Sequence, residues 1–428
     1  MFGWFKKKKP ESNSAQQEEK DESDFVDDET QVVTNEDKEL EAKGFDPIAQ
    51  VQEQDKENEG IADPDKLEYV GYHDIPADDI LQLVLNFKCF PNDEDIRHPE
   101  GYEKGGRICA DKKVVTKARS VGKEMVKQIG KKILSGSLNL TKVSFPIRVM
   151  IPKTALETSV HGTSIFPLYI TKATMTPDFL ERFKLVITAT LSSFFWTNTF
   201  LKPLNPILGE TLQANYNDGT QVYCEQIMHH PPVSYFLVFG PNRKYKYYGY
   251  YLVEGRAGLN SVTIINKGRR SIEFNDGQKI DFDFPNELYS GTFFGQLRQE
   301  SINKITFTDK ANGLSCIIDI GKVKKRTSDF FQADVTCKGQ KVSTVFGTYI
   351  GFINFDDVRY WDYRYVVPHK IKMDKQPLES DHKNRSDLQA LKAGDIPLAQ
   401  KNKEILENLQ RNDRKLREAY EKQKKSKK

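Results

Sequence analysis

The sequence predicts an α+β fold, a large, mostly antiparallel β-barrel flanked by helices. Three observations predict it. Between residues 211 and 355, Tyr, Phe, Val, Ile and Thr alternate with polar residues, the period of half-buried strands. Turn signals punctuate those runs at Asn217-Asp218-Gly219, Asn275-Asp276-Gly277 and Asn312-Gly313. Helical periodicity falls on either side of that span, at 117–135, 178–197 and 397–421. So long a meander must manage its edges, and closure into a barrel does so. A barrel of this size has a lumen that can hold a ligand rather than a solid side-chain core.

The chain has 428 residues, enough for a large core. Cysteines stand at 89, 109, 224, 316 and 337, an odd number with no CxxC, so neither a disulfide framework nor a zinc ribbon is expected. No apolar run approaches the ~18 residues of a membrane span. No signal peptide is legible, because Met1-Phe2-Gly3-Trp4-Phe5 runs straight into Lys6 to Lys9. A cytoplasmic location is expected. The net charge of +3 hides an asymmetry: residues 11–60 carry 18 Asp and Glu against 4 Lys. The basic remainder should attract an anionic partner. Nucleic acid is not expected, because the basic residues cluster at motifs rather than interleaving with stacking aromatics.

Along the chain, residues 1–10 read as either an interfacial tip or a plain tail: Phe2, Trp4 and Phe5 suit headgroup depth and the lysines suit anionic lipid. Residues 11–60 read as a disordered acidic leader. Residues 61–116 receive no assignment; His73, Cys89, His98 and Cys109 lack metal-ligand spacing. Residues 117–135 form an amphipathic basic helix, with Val121, Met125, Ile129 and Ile133 recurring every fourth position. Gly136-Ser137-Leu138-Asn139-Leu140 follows. The helix from Asp178 to about Thr197 ends in Phe194-Phe195-Trp196.

Three motifs carry chemistry. In Lys202-Pro203-Leu204-Asn205-Pro206-Ile207-Leu208-Gly209-Glu210, two prolines stiffen a loop that presents Lys202 and Asn205. In Glu225-Gln226-Ile227-Met228-His229-His230-Pro231-Pro232-Val233, the prolines end ladder pairing just after two adjacent histidines. Imidazole N–H groups are phosphate donors, although half-exposed histidines at a strand end would read the same way. Lys403, Glu407 and Arg411, on the helix from about 397 to 421, stay within about 80° of one another on one face. Glu407 can brace both cations, or the three can be ordinary exposed ion pairs. Residues 422–428 read as a frayed basic tail.

The histidine motif closely resembles the Glu-Gln-Val-Ser-His-His-Pro-Pro fingerprint of the oxysterol-binding-protein-related family of lipid-transfer proteins; Ile227 and Met228 replace Val and Ser. The lysine loop resembles that family's Lys-Pro-Leu/Phe-Asn-Pro-x-Leu-Gly-Glu, and all of its Lys/Glu/Arg trio is present. The resemblance spans residues 117–421 and suits a short member lacking a pleckstrin-homology domain.

It implies a barrel enclosing a lipid tunnel, with an N-terminal lid over 117–140 that includes Leu138 and Leu140. It also implies a ligand, phosphatidylinositol 4-phosphate, held by Lys202, Asn205, His229, His230, Lys403, Glu407 and Arg411. A second lipid, sterol or phosphatidylserine, would be exchanged against it between anionic membranes, with no cofactor. Sterol-binding members carry a Gln-Tyr pair before the lysine loop. Phe194-Phe195 stand in that place here and cannot make its hydrogen bond. A sensor acting through partners is the alternative function. An enzyme is not expected, because no nucleophile, base and orienter are legible around the histidines. Residues 24–30 loosely resemble the FFAT motif, which would imply an endoplasmic-reticulum receptor and a peripheral place at contact sites.

Overall fold

The computed structural model describes residues 39, 42–43, 84–86, 90–92, 94–129, 144–197, 200–229 and 231–426, without the side chains of 125–129. Expectations for residues 1–10 and 24–30, Leu138, Leu140 and His230 therefore lie outside the described residues.

Alternation of apolar and polar residues builds the strands. They are β1 (Arg107–Ile108), β2 (Met150–Thr154), β3 (Lys202–Leu204), β4 (Thr211–Tyr216), β5 (Gln221–His229), β6 (Pro232–Phe239) and β7 (Tyr245–Ala257). There follow β8 (Ser261–Asn266), β9 (Arg270–Phe274), β10 (Lys279–Phe282), β11 (Asn286–Ser290), β12 (Arg298–Ile302) and β13 (Lys304–Asp309). The last are β14 (Leu314–Asp319), β15 (Phe330–Cys337), β16 (Gln340–Thr348), β17 (Phe352–Phe355), β18 (Val358–Asp362) and β19 (Ile371–Met373). All but β2 and β3, which pair in parallel, join one 17-stranded sheet. Burial follows the two-residue period: Leu212, Ala214 and Tyr216 on β4 and Val222, Cys224 and Gln226 on β5 point inward. The predicted turns at 217–219, 275–277 and 312–313 join β4 to β5, β9 to β10 and β13 to β14, each with its glycine at positive φ.

The sheet forks at β7. Its first half, Tyr245 to Gly249, pairs with β9, and its second, Val253 to Ala257, with β8. From β9 the pairing runs through β10, β13, β14, β15, β16 and β17 to β18. From β8 it runs through β11 and β12 to β1. The other side of β7 leads through β6, β5 and β4 to β19. The sheet curls as a barrel does without being closed by a complete ring of ladder bonds.

Helices accompany it. They are α1 (Lys112–Ile129), α2 (Ala155–Gly162), α3 (Phe166–Ala173), α4 (Phe179–Thr197), α5 (Ser386–Lys392) and α6 (Ile396–Ser426). α4 is buried on nearly every side from Arg182 to Phe195. Its polar residues are satisfied within the helix: Thr188, Thr190, Ser192 and Ser193 hydroxyls donate to carbonyls three or four residues back. Asp178 accepts the Leu180 and Glu181 N–H groups, so it caps the helix rather than starting it. α2, α3 and α4 share one apolar core with the inward strand residues. Phe166, Ile170, Tyr216 and Tyr247 line a cavity of about 10 Å³, room for one water at most.

α1 begins at Lys112 rather than 117 because Asp111 caps it, accepting the Lys113 and Val114 N–H groups at 2.8 and 3.3 Å. It packs on the domain: Lys117 donates to the Arg148 carbonyl, and Val121 lies against a second cluster with Phe145, Ile147 and Phe293. The basic tail does not fray at 422; helix α6 continues to Ser426, with Lys424 and Lys425 at the end where the helix dipole favours cations.

Residues 94–111, unassigned from sequence, form part of the wall. β1 pairs with β12, and Arg97 grips Asp329 through Nε–Oδ2 at 3.0 Å and Nη2–Oδ1 at 2.7 Å. Asp329 is fully buried and also accepts the Gly106 N–H and the Thr348 hydroxyl. Asp329→Ala would leave Arg97 uncompensated and should lower unfolding free energy by about 3–5 kcal/mol in urea titrations. It should also expose 94–111 to limited proteolysis.

Candidate functional site

The lysine loop is clamped from two directions. Glu210, 1% exposed, accepts the Ile207 N–H at 2.9 Å and Arg385 Nη1 at 2.7 Å. Arg385 Nη1 also donates to the Asn205 carbonyl at 2.8 Å, while its other nitrogens make a fork with Asp387 at 2.9 and 2.7 Å. On the opposite flank, the Gly209 N–H donates to the Gln226 carbonyl and the Gln226 N–H to the Glu210 carbonyl. Gly209 sits at φ +79°, where a side chain would be strained. So held, the loop presents Lys202, whose Nζ donates to Asn205 Oδ1 at 3.0 Å and lies 5.4 Å over the Phe145 ring.

The trio meets this loop. Asp395 caps α6 by accepting the Leu398 N–H at 3.0 Å. Two turns on, Lys403 is buried, with Nζ 2.9 Å from Ser144 Oγ and 2.5 Å from Glu407 Oε1. Ser144 donates to the same carboxylate, and Arg411 Nη2 donates to Glu407 Oε2 at 3.0 Å. Burial alone would push the Glu407 carboxyl up; the Lys403 bond and charge, the Ser144 hydroxyl and Arg411 outweigh it and hold the group below the usual carboxylate range. Burial, then the like charge of Lys403, push the Lys202 ammonium down to about 8. Two cations thus pair with one carboxylate, and a third, Lys202, lies close enough to Lys403 to feel its charge. Such an arrangement has the chemistry to hold a multiply charged anion.

His229 ends β5, half-buried, opposite Pro232. Its tie to the loop runs through the backbone of Gln226. The Gln226 side chain also shapes the strand end: its amide donates to the Met228 carbonyl at 2.7 Å and accepts from the Ser234 hydroxyl. Side-chain bonds therefore join Lys202 with Asn205 and Lys403 with Glu407 and Arg411, and Lys403 acts on Lys202 through space. Phe194, expected at the tunnel, is 2% exposed and packs edge-on against Phe284 and Tyr349 at 5.4 and 6.2 Å.

Sequence reasoning missed Ser144, Phe145 and Arg385 as parts of the site. Glu210 and Gln226 lay inside the quoted motifs, but their bracing role appears only with their burial in the structure. Among the described residues no group of three His, Cys, Asp or Glu could hold a metal ion.

The architecture is that of the ORD domains of Osh proteins. The Osh3 ORD from Saccharomyces cerevisiae, solved in complex with PI(4)P, aligns at TM-score 0.57 and 19% identity, covering 68% of this chain and 84% of that one. The Osh1 ORD solved with cholesterol aligns at TM-score 0.59 and 18% identity, covering 81% and 90%. Oxysterol-binding protein 9 of Dictyostelium discoideum is 31% identical over 357 residues, 76% of this chain and 82% of that one. The oxysterol-binding protein-like protein OBPa of Candida albicans is 27% identical over 302 residues, 65% of this chain and 69% of that one. A profile of the oxysterol-binding protein family matches residues 125–364. The chain belongs to the oxysterol-binding protein family.

The depressed Lys202 ammonium gives two opposite pH trends. Affinity for a soluble phosphate monoester should fall as pH rises through about 8, since only the protonated lysine attracts the anion. Stability of the ligand-free protein should rise over the same window, because the unfolded chain then holds more protons than the folded one. Calorimetric titrations and melts across this range check both signs; Lys202→Arg should abolish both trends.

Proposed function

We propose that this protein binds phosphatidylinositol 4-phosphate and exchanges it against a second lipid between membranes. The observation that carries the reading is a cluster of cations, Lys403 and Arg411 paired with Glu407 and Lys202 within electrostatic reach of Lys403. The cluster lies beside a half-closed sheet with an apolar interior. A phosphate monoester meets the cations, with His229 and His230 as further donors. Acyl chains buried within the fold gain about 0.8 kcal/mol per CH₂. The Osh3 domain solved with PI(4)P supports the choice of headgroup.

The second lipid is sterol or phosphatidylserine. An Osh1 domain was solved with cholesterol, which favours sterol. Phe194 and Phe195, both buried and unable to pair with a hydroxyl, favour the phospholipid. The site is read as binding rather than catalytic. The cytoplasm is the proposed location, with peripheral attachment to anionic membranes and, through residues 24–30, to an endoplasmic-reticulum receptor at contact sites. The four described cysteines are free thiols, as a reducing compartment maintains.

His229→Ala/His230→Ala should abolish extraction of phosphatidylinositol 4-phosphate from vesicles while leaving the melting temperature intact. Two charge-assisted bonds at about 1.5–3 kcal/mol each would be lost. Full extraction by the folded double variant would refute the headgroup assignment. Lys403→Ala and Arg411→Ala should each weaken the phosphoinositide at least tenfold, roughly the cost of one such bond, and spare a neutral co-ligand. Competition between labelled sterol and phosphatidylserine for the wild type identifies the second lipid.

A further inference from the structure

β5 breaks its own alternation at one place. From Gln221 to Gln226 its residues point alternately out and in. Continued, that pattern would turn Met228 inward, on the face of buried Cys224 and Gln226 and opposite Pro232. Instead the register shifts between Gln226 and Met228, and Ile227 has no partner on β6. Both side chains emerge: Ile227 is 45% and Met228 41% exposed. The bulge is braced from inside by buried Gln226, bonded to the Met228 carbonyl and to Ser234. Next to it, Tyr235 is 47% exposed, with its ring stacked on Tyr250 at 5.5 Å.

A buried glutamine here holds two apolar side chains in water. They directly precede His229, and the same Gln226 backbone is bonded to the loop that carries Lys202. Apolar and tyrosyl side chains beside a cluster of cations are the chemistry of a lipid interface. We propose that Ile227, Met228 and Tyr235 form an apolar lip that docks the cation cluster onto an anionic bilayer surface. The proposal rests on the lipid-binding reading above and deepens it by naming the face that meets the membrane.

The test uses the full chain and two probes. One is vesicles of phosphatidylcholine and phosphatidylserine without phosphoinositide; the other is a short-chain, water-soluble phosphatidylinositol 4-phosphate. Ile227→Asn/Met228→Ser and, separately, Tyr235→Ser should each lower vesicle partition about tenfold or more, as expected when one or more such side chains no longer enter the interface. Affinity for the short-chain lipid should stay unchanged. Met228→Trp should strengthen partition. Wild-type partition by both folded variants would overturn the proposal. So would self-association of the wild type that the variants abolish while vesicle binding persists, since the lip would then be a contact between copies. If the wild type ignores the short-chain lipid while vesicle partition behaves as stated, the headgroup reading fails and the lip stands.

Discussion

The arrangement of the site depends on one buried guanidinium. Arg385 reaches Asp387 at the start of α5, Glu210 at the end of the lysine loop and the Asn205 carbonyl in its middle. These groups lie up to 180 residues apart in sequence. Arg385 is the one cation facing two buried carboxylates, so its removal would leave both without their counter-ion. Two consequences follow. The loop cannot shift without breaking a fork of charge-assisted bonds. The α5–α6 pair is also anchored at its start, ahead of the helix that carries Lys403. Lys202 and Lys403 repel, and no attraction between them explains their proximity. Their backbones are placed by Arg385, and the repulsion is carried as a depressed Lys202 ammonium.

The sheet makes a parallel use of a buried polar group. Gln226 faces an apolar interior, where an unpaired amide is costly. Its bonds to Met228 and Ser234 satisfy it by bending β5. The bend interrupts pairing at Ile227, two residues before His229, and Pro232, opposite His229, opens β6 without a ladder donor. Gln226 of the histidine motif is thus a structural device that shapes the strand end just before His229.

Much of this was legible in the sequence, for identifiable reasons. Period-two alternation and the three glycine turns marked the sheet because they are local. The Lys403, Glu407, Arg411 spacing marked a helix face for the same reason. Arg385, Ser144 and the brace on Glu210 were not legible, because each takes its meaning from a partner far along the chain; Ser144 meets Glu407 across 263 positions. Residues 94–111 look unremarkable alone and become a wall only through Arg97 and Asp329, 232 positions apart. The apolar run of α4 was readable as a helix, but its place inside the sheet was not. A helix buried on all sides and one packed on a surface differ chiefly in how their polar residues are satisfied, which here happens through hydroxyl bonds within the helix.

The charge balance of the cluster bears on which anion it suits. Lys202, Lys403 and Arg411 stand against Glu407 alone, and Glu407 is held ionised by its neighbours. The net excess is close to two positive charges, somewhat less where Lys202 is partly deprotonated. A phosphate monoester carries about −1.5 to −2 at neutral pH and compensates that excess, whereas a phosphodiester carries one charge and leaves part of it. The monoester's arrival would also relieve the repulsion between the lysines and draw Lys202 back to its protonated form. Binding of the favoured headgroup would therefore take up protons when it occurs near pH 8, and a neutral co-ligand would have no such linkage. The same residues that attract the anion thereby make its binding more sensitive to pH than that of any uncharged lipid sharing the fold.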